Sequence, residues 1–173
     1  MGRYTRFSAA PFSAGNHDHG ACIAGAVRNA QRICARRGVR LTRLRQRVLE
    51  LVWSSHAPVG AYDLLRRLSR ERDGAAPPTV YRALDFLLEQ GLVHRIESRN
   101  AFVGCADPAE SHAGQFLICR DCGSAAEMHD RQVNRAIHRG AAELGFFVEA
   151  KTVEVSGVCP ACRAAAGAPS NAR

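Results

Sequence analysis

Two Cys-x-x-Cys pairs constrain this chain more than any other feature. They read Cys119-Arg-Asp-Cys122 and Cys159-Pro-Ala-Cys162, with 36 residues between them. A single such pair could be a redox dithiol, a disulfide or half of a metal site. Two pairs, each at the end of an apolar run, suit a tetrahedral four-thiolate zinc site built from two knuckles. The intervening residues can supply a strand over 124–129, a helix over 130–145 and a strand over 146–157, which would bring the pairs together. The rival is a thioredoxin-like dithiol, but that arrangement needs one pair opening a helix within a strand-helix-strand unit. Seven cysteines would be many for a reducing compartment unless several hold metal or do redox work. That compartment is the expected one. No run of 18 apolar residues reads as a membrane span, the first 20 residues lack the apolar core of a secretory signal, and Arg6 breaks the myristoylation pattern.

Charge divides the chain. Residues 1–100 hold 17 Arg and 8 acids, a net +9, whereas residues 101–173 hold 7 basic residues and 8 acids, a net −1. A polyanion partner for the first half accounts for this, and a solvated Arg-rich surface does so equally well on charge alone. The periodicity decides. It predicts a helix over 25–37 with Ala26, Ala30, Ile33 and Cys34 on one face, then one capped by Thr42 that buries Val48, Leu49 and Val52. A third, over 61–71, turns Leu64, Leu65 and Leu68 inward. A fourth is expected to start at the cap Thr79, to bury Val80, Ala83, Leu84, Leu87 and Leu88, and to end at Gly91. Two strands around a turn at Arg99-Asn100 follow. Short helices closed by a β-hairpin outline a winged helix-turn-helix, with the Thr79 helix reading the major groove. Its outer face carries Tyr81, Arg82, Asp85 and Glu89. Arg82, expected in its first turn, can grip guanine O6 and N7. Tyr62, at the head of the preceding helix, is a further DNA contact or a packing residue.

Three cysteines remain. Cys34 reads as a core thiol on an apolar helix face. Cys22 follows His17 and His19, a set that could capture metal loosely or simply be part of a tail. Cys105 ends the wing, and His94, His112 and Glu127 lie within 25 residues of it. Two nitrogens, a sulfur and an oxygen can form a second tetrahedral site, although isolated histidines are more often surface or satisfied side chains.

The stretches "RLTRLRQRVLE", "AYDLL", "PPTVYRALDFLLEQGLVHRIES", "SHAGQFLICRDCG" and "CPAC" resemble the ferric uptake regulator (Fur) family. The unbroken "PPTVYRALDFLLEQG", with the single His112 downstream, is similar to its zinc uptake regulator branch. The resemblance spans about residues 25–163. It implies structural zinc at Cys119, Cys122, Cys159 and Cys162, and regulatory zinc at His94, Cys105, His112 and Glu127. It implies DNA contacts by Tyr62, Thr79, Tyr81 and Arg82, with Arg43 and Arg45 as further candidates. Two departures stand out. The His-rich run of the iron-responsive members is replaced by "SHAGQ", which favours zinc, and Arg43 stands where the family motif has a proline.

The architecture expected is α+β, an N-terminal winged helix-turn-helix followed by a small α/β dimerisation domain. The divisions expected are a disordered extension over 1–24, a DNA-binding domain over 25–99 and a wing end and hinge over 100–105. A zinc-binding dimerisation domain over 106–163 and a disordered tail over 164–173 complete them. The function implied is a cytoplasmic, homodimeric, zinc-responsive repressor of zinc-uptake genes that binds a double-stranded operator, holds two Zn2+ per chain and is not an enzyme. An iron- or peroxide-responsive regulator of the same family is the alternative, with a thiol redox protein or a zinc-storage module behind it.

Overall fold

The computed structural model describes Phe12 and residues 19–55, 57–71, 76–108 and 114–167. His17 and His112 therefore lie outside the described residues, as do most of the expected N-terminal extension and the end of the tail. Four helices come first: α1 (His19–Arg36), α2 (Arg43–Val52), α3 (Ala61–Leu68) and α4 (Pro77–Glu89), with the short strand β1 (Val59–Gly60) before α3. They share one core. Ala30, Ile33 and Cys34 of α1, Val48, Leu49 and Val52 of α2, Leu64 and Leu68 of α3, and Val80, Leu84 and Leu87 of α4 are all buried in it. Burying such side chains stabilises by about 1.5–3 kcal/mol each relative to exposure.

The wing is β2 (Val93–Ile96) and β3 (Ala101–Gly104), joined by a 3-10 turn over Glu97–Arg99 and closed by Asn100 at φ 46°. Asn tolerates that left-handed conformation better than most side chains. β3 is the centre of an antiparallel three-stranded sheet in the order β1-β3-β2. A second sheet has the order β5-β4-β6: β4 (Gln115–Cys119) runs antiparallel to β5 (Ala125–Glu127) and parallel to β6 (Val153–Gly157). The parallel pair requires a crossover, supplied by β5 and α5 (Arg131–Glu143). A last helix, α6 (Pro160–Ala165), carries the second cysteine pair.

Several local expectations are corrected. α1 begins at His19, six residues before Gly25, so packing against the body overrides the glycine signals at 20 and 25. The recognition helix begins at Pro77 with Ala76 at its N-cap, and Thr79 is not the cap. Pro77 and Pro78 occupy the first two positions, where a missing N–H costs nothing. The earlier start moves Arg82 from the first turn into the second. The strand expected over 146–157 is confined to Val153–Gly157, and Phe146 and Phe147 ahead of it are exposed. The cap at Thr42 is as expected: its Oγ1 accepts from Arg45 N at 3.4 Å.

Gly104 lies so close to Trp53 that a Cβ there would overlap the indole. Gly104→Ala is therefore expected to destabilise by ~1–3 kcal/mol through overpacking, read as a lower urea midpoint. An unchanged midpoint would mean that the Trp53 ring moves aside freely.

Candidate metal centres and nucleic-acid interface

The parallel register pairs Cys119 with Gly157, and Arg120 N donates to Gly157 O at 2.9 Å. This places the first cysteine turn, 119–122, beside the second, where Cys159 caps α6. The four sulfurs all lie within 4.8 Å of one another. Cys122 Sγ and Cys159 Sγ are 3.7 Å apart, far beyond the ~2.05 Å of a disulfide. Four ligands about 2.3 Å from a shared zinc ion would stand ~3.8 Å from each other, so the spacing fits a tetrahedral ion. Electrostatics agree. Backbone amides at Cys122 and then Cys159 hold the Cys119 thiol down to about 6, and the Ser124 hydroxyl lowers Cys122. Cys162, facing the sulfurs of Cys159 and Cys122, is pushed up to about 12. Crowded sulfurs resist joint ionisation, and a cation among them would relieve that conflict.

A second cluster joins the two sheets. His94 of β2, Cys105 just after β3 and Glu127 at the end of β5 bring their ligand atoms within 4.8 Å of one another. His94 Nε2 is 2.9 Å from Glu127 Oε1. The other Glu127 oxygen accepts from Ala106 N at 3.1 Å, and the His94 ring stands edge-on to Phe116, with centroids 5.3 Å apart. Burial pushes the Cys105 thiol well above its ordinary range, and the Glu127 carboxylate adds to the shift. The donor set of imidazole, thiol and carboxylate suits zinc. His112, the fourth expected ligand, lies outside the described residues.

Two supporting residues escaped the sequence reading. Gln115 is almost wholly buried. Its amide donates to Asp130 O and Asn134 Oδ1 at 3.0 Å each, and its carbonyl accepts from Asp130 N at 3.1 Å. It thereby pins the segment that follows Glu127 to β4 and α5. His129 is half-buried, with Nε2 3.8 Å from Glu127 Oε1. Its signal was Glu-x-His spacing, which on an extended chain puts both side chains on one side. Cys22 of α1 lines a cavity of about 180 Å3 together with Cys105, a proximity that no local sequence pattern encodes.

The recognition helix buries Val80, Ala83, Leu84 and Leu87 and exposes Thr79, Tyr81 and Arg82. Tyr62, at the start of α3, is 77% exposed, and Tyr81 is 50% exposed. A large aromatic held in solvent has no packing role within the chain, so Tyr62 belongs with the outward-facing candidates. Arg43 is exposed at the start of α2. Arg45 is engaged internally. Its guanidinium lies 3.5 Å over the Phe86 ring and donates to Arg40 O at 2.6 Å, joining α2 to α4.

The model of the ferric uptake regulator family matches residues 36–156. The zinc uptake regulation protein of Escherichia coli (strain K12) is 44% identical over 134 residues, covering 77% of this chain and 78% of that protein. A zinc uptake regulator solved in complex with zinc and DNA superposes with a TM-score of 0.78 at 39% identity, over 88% of this chain and 99% of that one. The holo form of XcZur gives a TM-score of 0.75 at 48% identity, over 81% and 98%.

Cys162→Ser is expected to lose the metal of the four-sulfur site and most of the folded second sheet. Structural zinc supplies on the order of 10 kcal/mol in small metal domains. Metal content by mass spectrometry of the native protein and far-UV circular dichroism measure both, and a folded variant with undiminished metal would refute the assignment.

Proposed function

The chain belongs to the ferric uptake regulator family, and we propose that it is a zinc-responsive, DNA-binding transcriptional repressor of zinc-uptake genes. It acts in the cytoplasm as a homodimer, without catalysis of its own. The observation that carries this reading is the meeting of His94, Cys105 and Glu127 where the two sheets face each other. The similarity to regulators solved with zinc and with DNA supports both ligands. Among the described residues no helix is long and apolar enough to cross a membrane.

When bound, zinc supplies a redox-inert centre that prefers four ligands in a tetrahedron. Cys119, Cys122, Cys159 and Cys162 would hold one ion within the second half of the chain. His94, Cys105 and Glu127, with His112 as the fourth donor, would hold a second, for two per chain. A thiolate in the latter set favours zinc over iron. His94 and Cys105 belong to the wing side and Glu127 to the second sheet, so ligation by all of them fixes the angle between the halves. Ligand-free, the halves keep the freedom that DNA binding must then remove, which makes the coupling a difference in metal affinity between two arrangements.

The second copy meets the second half. No residue of α5 is buried, and Leu144, Phe146, Phe147 and Val155 are exposed at 86%, 67%, 81% and 47%. An apolar face of that kind marks an interaction surface, and a two-fold pairing there sets the separation of the two recognition helices. Helices about one DNA turn apart, ~34 Å, enter successive major grooves. Arg82 and Tyr81 then face base edges from the second turn of α4, Thr79 and Tyr62 flank them, and Arg43 reaches phosphate. Arg45 supports the interface by fixing α2 to α4.

Cys105→Ser tests the switch. The variant is expected to remain a folded dimer, to bind about one zinc per chain rather than two, and to bind operator weakly and without response to a chelator. Zinc stoichiometry and gel shifts with and without chelator read this out. A Cys105→Ser protein that still binds operator at wild-type zinc levels and releases it on chelation would overturn the assignment. Arg82→Ala is expected to weaken operator binding by ~1–3 kcal/mol and to relax base preference. An unchanged ranking of operator variants, measured by fluorescence anisotropy, would make Arg82 a phosphate contact.

A further inference from the structure

The wing touches the second sheet at a place remote along the hairpin from the metal ligands. His94 and Cys105 lie at the open end of the β2–β3 hairpin, where Val93 pairs with Gly104. At the turn end, Glu154 of β6 reaches across. Its Oε1 accepts from Glu97 N at 2.6 Å and its Oε2 from Ser98 N at 3.2 Å. Next to it, Arg99 Nη2 donates to the Cys119 carbonyl at 3.2 Å. The Arg99 guanidinium lies against the first cysteine turn, since a Cβ on Gly123 would stand 3.5 Å from Nη1. Between the two ends, Ile96 and Val103 of the wing pack with Phe116, Ile118 and Ala125 of the second sheet, and Ile96 is fully buried. Hydrogen bonds to a charged group are roughly twice as strong as neutral ones, and these are backed by an apolar seam.

We propose that Glu154 and Arg99 are positioning residues of the metal switch: they clamp the wing turn to the second sheet and share with the metal ligands the task of orienting the recognition helix. The inference rests on the function proposed above. Its physical content is a population argument. Apparent zinc affinity is the intrinsic affinity scaled by the fraction of molecules already in the ligand-competent arrangement. A clamp that raises this fraction lowers the zinc concentration needed for repression without touching any ligand. Because the acceptor of Arg99 is the carbonyl of Cys119, the clamp also makes the wing sensitive to the integrity of the four-sulfur turn. Each site then influences the other through this contact.

The test uses the full-length dimer in buffered zinc. Glu154→Ala and Arg99→Ala are each expected to raise the zinc concentration for half-maximal operator binding on the order of tenfold, the scale of one charge-assisted hydrogen bond lost. Operator affinity at saturating zinc, dimer content and zinc per chain should stay close to wild type. Arg99→Lys, which keeps a donor, should recover most of the wild-type midpoint. Small-angle scattering at intermediate zinc should report a more extended dimer for the two alanine variants. Unchanged midpoints in both alanine variants would overturn the proposal. So would a loss of dimer and of maximal binding at an unchanged midpoint, since that would be a merely structural role. Wild-type protein that keeps its operator under chelation would instead defeat the parent reading, so the two failures are distinguishable.

Discussion

The parallel pairing of β4 with β6 carries the second half of this chain, because it places Cys119 beside Gly157 and thereby the two cysteine turns beside each other. Very little else stabilises that half from within. Its apolar cluster holds Phe116, Ile118 and Ala125, completed by Ile96 and Val103 from the wing, and no residue of α5 is fully buried. A unit of this size cannot remove enough apolar surface from water to offset its chain entropy unaided. On the proposed reading two devices would offset the deficit: a metal held by the four sulfurs, whose binding free energy would be folding free energy, and a second copy of the chain covering the exposed Leu144, Phe146 and Phe147 face. The first half has no such need, since four helices converge on one continuous core.

The wing belongs to both halves, and this gives the switch its mechanical basis. Val93 and Phe102 point into the helical core, while Ile96 and Val103 point into the cluster of the second sheet. A wing with one face in water could tilt against the second sheet at small cost. One whose residues are divided between two cores transmits any tilt to the recognition helix, because packed interiors are not continuously deformable. Its ends are then tied by different chemistry. The candidate metal ligands gather at His94 and Cys105, and hydrogen-bonded contacts act at Glu97, Ser98 and Arg99.

The sequence made the helical half legible because its signals are local. The apolar spacing of the recognition helix, Thr42 as a cap, and the stops at Gly38 and Gly91 all act within a few residues, and the structure places those elements accordingly. The misplaced boundaries were those where proline or tertiary contact outweighs propensity. Thr79 looks like the cap of α4, but Pro77 and Pro78 set its start, and α1 runs through two glycines that its packing tolerates. The four-sulfur cluster was readable because the two pairs declare it in the spacing. Glu127 and His94 were harder: they stand 33 positions apart along the chain, so spacing offers them only as one weak donor set around Cys105, and the resemblance is what strengthens it. Gln115 and Glu154 were invisible, since each acts by reaching main-chain groups far along the sequence, and no local pattern encodes such a partner.

The two candidate metal clusters differ in topology, and that difference separates their proposed roles better than donor type does. All four sulfurs come from the second half, from turns that the β4–β6 pairing has already joined. A metal there would therefore bear on whether this half is folded, not on how it is oriented. His94, Cys105 and Glu127 come from both sides of the wing-to-sheet junction. Their convergence depends on the orientation itself, so ligation and orientation stabilise one another by the same free energy. A site drawn from one half can hold its ion tightly and permanently without losing any function. A site that spans the junction has to be reversible to be informative, and part of its affinity is used to fix the junction. The contacts of Glu154 and Arg99 lie at the far end of the same hairpin; acting as the proposed clamp, they would limit how much of that work the ion must do and so set the concentration range in which the junction responds.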